Sequence, residues 1–502
     1  MPPPGPVVPL LLLLVAAGIA GVASGEEKEV QEEESFHLPI TPPVVPESAD
    51  ERREHFRALQ DKDQMRHRRV LRQVPALMSN TSTFELPMRS ALNIAKVGVY
   101  LVVVRIGTPA LPYSLALDTA NEVTWINCRL RRRRGKHPGR PHVPPAATTM
   151  SLDEGGNGRP PVKVIKNWYR PALSSSWRRF RCSQEACANL PYNTCRGSNQ
   201  NTSCTYFQRV QDGTISSGIY GQEKATVAVS DGTMAKLPGL VLGCSTFEKG
   251  DAVDSHDGIL SLGNSDASFG VTAARRFAAR FSFCLLATAS GRNASSYLTF
   301  GRNPAVHGPG TMETPMVYSA VNVAYGFRVT AVLVGGQPLD VPPEVWDDRQ
   351  GGVILDTGTS ITCLVPAVYD PLTAVLNSHL AHLPTAHVDG FTDCYQWSFA
   401  GDGVDPAHNV TIPSFAIVTE SGARLEPDAK SIVIPEVLPG VACLGFRRID
   451  QGPMIIGNVL MQEHIWEIDH LAGTVRFRKD SCLNHHQLNK NASSSPAAHR
   501  AT

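Results

Sequence analysis

One short segment occurs twice in this chain, in altered form. Leu115-Ala116-Leu117-Asp118-Thr119-Ala120-Asn121 is an apolar run ending in Asp-Thr, a small residue and a polar one. Val353-Ile354-Leu355-Asp356-Thr357-Gly358-Thr359-Ser360 repeats that order. Aliphatic and β-branched residues followed by turn formers read as a strand running into a loop. Each copy has a matching later piece: Asp257-Gly258-Ile259-Leu260-Ser261-Leu262-Gly263 after the first, and Met454-Ile455-Ile456-Gly457-Asn458-Val459 after the second. Such a strand can cross behind an Asp-bearing loop and hold it rigid, with Gly permitting close approach. The repetition predicts a duplicated architecture with one Asp loop per lobe.

The sequence between these points suits many short strands. Gly (41) and Pro (38) punctuate it, and aromatics are only 7%, which favours strands and turns over long helices. Val97 to Val104 and Tyr113 to Leu117 read as strands on either side of an Ile106-Gly107-Thr108-Pro109 turn. The pattern continues to about Phe477, with short helical candidates near 271–280 and 366–380. The 502 residues allow two to four domains, and a net charge of +1 gives no reason to expect a nucleic-acid partner.

The N-terminus reads as a secretory signal peptide over residues 1–25: an apolar run from Val7 to Ala23, then Ser24 and Gly25, with acidic residues from Glu26. A short membrane anchor is the other reading of that run, although Pro9 lies in it; no later segment is long and apolar enough to span. Export fits the 11 cysteines, all after residue 120, most of which should pair in an oxidising compartment. The odd count leaves one free or intermolecularly bonded. Zinc binding at Cys182 and Cys187 is disfavoured because no paired histidines accompany them, and no metal or cofactor is expected. Sequons at Asn80, Asn201, Asn293, Asn409 and Asn491 make the chain a candidate glycoprotein. Residues 26–94 are expected to be a prosegment, whose Arg66-His67-Arg68-Arg69 cluster is suited to pair with cleft carboxylates; a solvated arm is the competing reading. Seven basic residues between Arg129 and Arg140 open an inserted loop over 129–165, and residues 483–502, rich in Asn, Ser and Ala, are expected to be a disordered tail.

The chain resembles the pepsin-like aspartic proteases of the plant, nepenthesin-like type, over roughly residues 95–480. The likeness rests on both Asp-Thr segments and on Trp125-Ile126-Asn127-Cys128, Phe281-Ser282-Phe283-Cys284, Val334-Gly335-Gly336, Asp393-Cys394-Tyr395 and the closing run from Ile456-Gly457-Asn458 to Val475-Arg476-Phe477. It implies an all-β, bilobal fold with a central cleft, an N-terminal lobe over 95–310 and a C-terminal lobe over 311–482. It also implies an aspartic endopeptidase, secreted to the extracellular space or cell wall, or else vacuolar. The expected partner is a protein or peptide substrate in the cleft of a monomer. Asp118 and Asp356 are then the catalytic pair: one carboxylate activates a water, and the protonated one polarises the peptide carbonyl. Cys182, Cys187, Cys195 and Cys204 are expected to staple a first-lobe insertion, and Cys394 to pair with Cys443.

Three positions depart from that pattern. Ala120 and Asn121 stand where the first motif usually reads Gly-Ser, and Ala120 would be strained if its φ were positive. The flap segment reads Val210-Gln211-Asp212-Gly213-Thr214, so Val210 replaces the flap tyrosine and carries no polar tip; Tyr206 is a candidate substitute. These changes support the alternative of a catalytically weak or inactive relative that acts by binding, as an inhibitor of polysaccharide-degrading enzymes or as a receptor.

Overall fold

A computed structural model of the chain describes residues 82–482, apart from 91–97, 131–165, 196–200, 210–212, 231, 251–254, 288–295, 319–322, 347–351, 400–402, 406–407 and 451. The signal peptide, most of the expected prosegment, most of the basic loop, Val210 and the polar tail lie outside the described residues. So do the sequons at Asn80, Asn293 and Asn491, whereas Asn201 and Asn409 are exposed.

The described residues are mostly strand. The first-lobe strands that position the site are β1 (Phe84–Ser90), β2 (Tyr100–Ile106), β3 (Leu111–Asp118), β4 (Thr124–Asn127), β5 (Thr205–Arg209), β6 (Ile215–Ala228), β7 (Met234–Lys249), β8 (Gly258–Ser261), β9 (Arg280–Cys284) and β10 (Ser296–Phe300). The second lobe supplies β11 (Val353–Asp356), β12 (Thr362–Leu364), helix α1 (Pro366–Leu380), β13 (Phe446–Arg448), β14 (Met454–Gly457), β15 (His464–Asp469) and β16 (Thr474–Lys479). The expected helix at 366–380 is α1. It opens on Pro366, which suits a position whose N–H lacks a partner anyway, and it buries Val368, Leu372, Leu376 and Leu380 along one face. The other helical candidate is shorter and shifted, Phe269–Ala274.

The largest sheet has 14 strands among the described residues. The C-terminal strands β16 and β15 join it beside β9, so the end of the chain completes a sheet begun by the first lobe. A disulfide between Cys284 and Cys482 fastens the same junction. Strand β1 lies between β10 and β2. Its Phe84 is 1% exposed and stacks on Phe300 with ring centroids 4.6 Å apart. Met88 is also buried. This strand falls inside the segment expected to be a prosegment. A cut near residue 94 would bare the apolar face that β1 covers.

The two lobes repeat one arrangement. In the first, β8 runs parallel to β3 and antiparallel to β4, and β4 in turn runs parallel to β7. In the second, β14 runs parallel to β11 and antiparallel to β12, and β12 runs parallel to β13. The later strand of each set thus threads between the Asp strand and the strand that follows the Asp. Glycine makes room for it: a β-carbon on Gly258 would meet the Trp125 carbonyl oxygen at 2.1 Å, and one on Gly457 the Ser360 carbonyl oxygen at 2.5 Å.

Candidate active site

Asp118 and Asp356 end their strands at matching places, beside Ser261 of β8 and Gly457 of β14. Both are half-buried. A β-carbon built on Gly358 would lie 3.1 Å from Asp118 Oδ2 and 3.1 Å from Asp356 Oδ1. The two carboxylates therefore border one small space, their nearest oxygens no further apart than twice that distance. The structure brings together the two residues that the sequence singled out.

Threonines behind the carboxylates lock the loops to each other. The Thr119 hydroxyl donates to the Leu355 carbonyl (3.0 Å) and accepts from Thr357 N (3.0 Å). The Thr357 hydroxyl donates to the Leu117 carbonyl (3.2 Å) and accepts from Thr119 N (3.2 Å). Both threonines are buried. A valine at either place would leave two buried backbone groups, one carbonyl and one N–H, needing new partners. This ring was not singled out from sequence, although the repeated Asp-Thr pair is its signal.

Each carboxylate is held by its own loop. Gly358 N donates to Asp356 Oδ1 (2.8 Å) and the Thr359 hydroxyl to Asp356 Oδ2 (2.6 Å). Ala120 N donates to Asp118 Oδ1 (2.9 Å) and the Asn121 amide to Asp118 Oδ2 (3.3 Å). Ala120 lies outside the left-handed region, so the strain feared for it does not arise. Its methyl packs against Ala324, Ile354, Cys363 and Ile455. Asn121 does supply the donor expected of it, through its amide. Its Oδ1 accepts from Val123 N and from Gln208 Nε2, both at 3.2 Å.

Tyr206 does not replace the flap tyrosine. It is buried, stacks on Tyr220 at 4.6 Å, and pairs its hydroxyl with Ser216 at 3.0 Å. Sequence spacing placed it near the flap, but the alternation of β5 turns it into the sheet interior.

The cysteines are structural. Cys128–Cys244, Cys182–Cys195, Cys187–Cys204, Cys284–Cys482 and Cys394–Cys443 form five disulfides. The sulfurs of Cys182, Cys187 and Cys195 cluster, but all three are spent in disulfides and offer no thiolate to a metal. Cys363 is the odd thiol. Burial, chiefly, pushes its pKa up, so it stays protonated and inert behind the second loop.

Comparison with known proteins agrees with this geometry. Residues 100–302 match the xylanase inhibitor N-terminal family model, and residues 324–479 match the xylanase inhibitor C-terminal model. An aspartyl protease family protein of Arabidopsis thaliana is 28% identical over 410 residues, covering 81% of this chain and 77% of its own. Aspartic proteinase nepenthesin-2 of Nepenthes gracilis is 25% identical over 416 residues, covering 81% and 82%. Among solved structures, soybean basic 7S globulin aligns with a TM-score of 0.58 at 16% identity, covering 80% of this chain and 99% of that one. Lupine conglutin gamma aligns with a TM-score of 0.57 at 18% identity, covering 80% and 98%. The globulins share the fold; the two domain models and the named proteinases share the sequence, and the chain belongs to the pepsin-like aspartic protease family of the plant nepenthesin-like type.

Proposed function

We propose that this chain is an aspartic endopeptidase that hydrolyses extended peptides in its cleft, with Asp118 and Asp356 as the catalytic pair. The observation that carries this reading is the shared space between the two carboxylates, fixed by the buried Thr119–Thr357 ring. Two carboxyl groups this close cannot both ionise cheaply, so the pair holds one proton between them at mildly acidic pH. Aspartic proteases are the standing example of such a pair. The ionised member takes a proton from a water between them. That water attacks the peptide carbonyl while the protonated member donates to the carbonyl oxygen. The pair then returns a proton to the departing amine. Either Asp is suited to either role.

The cysteine pairing and family fit a secreted enzyme made with a prosegment. On this reading the burial of β1 supports a processing cut before Phe84, so that the mature first lobe keeps its inner strand.

A second reading is a binding protein that has lost catalysis. It is favoured by the long 3.3 Å bond from Asn121 to Asp118, by Val210, and by the fold shared with seed globulins. Cleavage of an unfolded protein substrate at acidic pH separates the two. The peptidase reading expects cleavage by the processed chain, blocked by a statine-type inhibitor and absent in Asp356→Asn. Folded, processed protein that cleaves nothing would leave the binding reading in possession.

A further inference from the structure

The flap position that should offer a hydroxyl to the cleft is a valine, and Tyr206 faces inward. A different tyrosine stands beside the first Asp loop. The segment around Tyr192 runs along β5 as an added strand: Phe207 N donates to the Tyr192 carbonyl (3.1 Å), Thr194 N to the Thr205 carbonyl (2.8 Å), and Asn193 bridges Tyr206. Tyr192 is thus placed next to Gln208, one strand away from Asn121.

Its backbone is costly to hold. Tyr192 has φ of 57°, a left-handed conformation that a bulky residue rarely adopts, worth on the order of a kcal/mol or more. The surroundings enforce it. The Tyr220 hydroxyl donates to the Pro191 carbonyl (2.8 Å), and the Asn193 amide donates to the Leu190 carbonyl (2.8 Å). The Cys182–Cys195 and Cys187–Cys204 disulfides bracket the turn. Despite this anchoring the side chain is 39% exposed. A strained, tightly anchored turn that presents an open aromatic ring is better explained by what the ring touches than by packing.

A line of hydrogen bonds leads from Gln208, beside Tyr192, to the carboxylate. Gln208 is 3% exposed, and its Nε2 donates to Asn121 Oδ1, whose own amide donates to Asp118 Oδ2. The Tyr192 phenol lies beside Gln208, close enough for that side chain to act on its ionisation. Burial first, then the charges of Glu122 and Asp118, push its pKa up to about 12, so the phenol keeps its proton and remains a donor.

We propose that Tyr192 is a peptide-contacting residue of the cleft, supplying on the first-lobe side the hydroxyl that position 210 lacks, and coupled to Asp118 through Gln208 and Asn121. This rests on the reading that the cleft takes an extended peptide. The ring covers apolar substrate surface and the hydroxyl donates to a backbone carbonyl, a pairing for which tyrosine is suited by its apolar body and polar tip.

The probe is a statine-containing hexapeptide, which mimics the hydrated peptide bond and is not cut. Its dissociation constant is measured by calorimetry for the processed wild-type chain, Tyr192→Phe and Gln208→Met, alongside kcat/KM on a cleavable peptide. Thermal melting of each variant establishes that it is folded. Tyr192→Phe removes one oxygen and keeps the ring, so it should weaken binding about 3- to 10-fold, with kcat/KM falling in parallel. Gln208→Met should weaken binding in the same direction. Unchanged binding in folded Tyr192→Phe overturns the proposal, and intact wild-type cleavage in the same experiment leaves the Asp118–Asp356 reading standing. Binding that Tyr192→Phe weakens, by a wild-type chain that cuts nothing, supports Tyr192 while removing the peptidase reading. No binding by the wild-type chain overturns both.

Discussion

The two Asp loops share a backbone frame and differ in what stands behind them. The second loop is tied to the body of the protein: the Ser360 hydroxyl and the Asn458 amide both donate to the Gly98 carbonyl, and Asn458 also donates to the Thr357 carbonyl at 3.0 Å. The first loop is tied to β5, because Asn121 spends its Oδ1 on Val123 and on Gln208 of that strand. Asp356 accordingly receives a short 2.6 Å bond from a hydroxyl, and Asp118 a 3.3 Å bond from an amide that also serves elsewhere. One carboxylate is held by the frame, and the other is coupled to strand β5, which pairs with β6. Near-symmetry in the chain fold therefore does not imply near-symmetry in how each carboxylate answers a bound molecule.

The sharpest way to break this comparison is to remove the carboxylates one at a time. Asp118→Asn and Asp356→Asn should each lower kcat/KM by about a thousand-fold or more, the usual scale for a group that moves a proton in the reaction. A variant at either position that keeps a tenth of the activity would show that the pair does not act together.

Next in size is the threonine ring. Thr119→Val and Thr357→Val each remove a hydroxyl that both donates and accepts, leaving buried backbone groups unpaired. Each should cost about 1–3 kcal/mol in denaturant unfolding. The costs should be similar to each other, since the ring is reciprocal, and the double variant should depart from their sum because the two sites lie in one network.

A pH experiment probes the first lobe. His256, behind the first Asp strand, has an Nδ1 that is buried without a partner in the structure, and burial, chiefly, lowers its pKa to about 4. The unfolded chain takes up that proton near its ordinary 6.5, and the folded chain does not until about 4. Its contribution to stability is therefore complete above 6.5 and is lost as pH falls from 6.5 to 4. Neighbouring Asp257 has a raised pKa, again from burial, and so acts in the opposite sense: its contribution is present at low pH and lost as pH rises. The difference between wild type and His256→Gln isolates the histidine. The variant should lose less stability over that window, by about 1–3 kcal/mol, in melting curves taken at each pH.

The smallest effects belong to the residues that looked most damaging. Asn121→Ser should change kcat/KM by only about threefold, because Asp118 keeps a donor while β5 loses a link. Ala120→Gly should destabilise the chain by about 0.5–1 kcal/mol, through added freedom of the unfolded state and a lost methyl contact. A gain in stability would mean that Ala120 is strained after all.

These last two cases show where sequence stops being legible. The two Asp strands, the threading strands and helix α1 were readable because each is a local pattern of apolar residues bounded by Gly, Asp or Pro. The pairing of Cys394 with Cys443 was readable by resemblance. The cost of Ala120 was not, since it depends on one dihedral angle that the residue's name does not give. Tyr192 was missed because its relation to Asp118 passes through Gln208 and Asn121, residues far apart in the chain. The pairing of strand β1 was not legible because its partners lie more than two hundred residues later, such as Phe300. Local composition announces an element; what the element is for is often decided at long range.

The placement of the last strands has a consequence in time. Strand β9 needs β15 as its neighbour, and β15 needs β16, which ends at Lys479. At roughly 5–20 residues per second, synthesis delivers Asp356 about 10–50 s after Asp118, and the closing strands follow several seconds later still. During that interval the first Asp loop exists without its partner. Whatever the cleft does, it cannot begin on the chain's own first half at the site of synthesis, because the clock of translation withholds the second carboxylate until residue 356 of 502, and the strand that closes the sheet until residue 479.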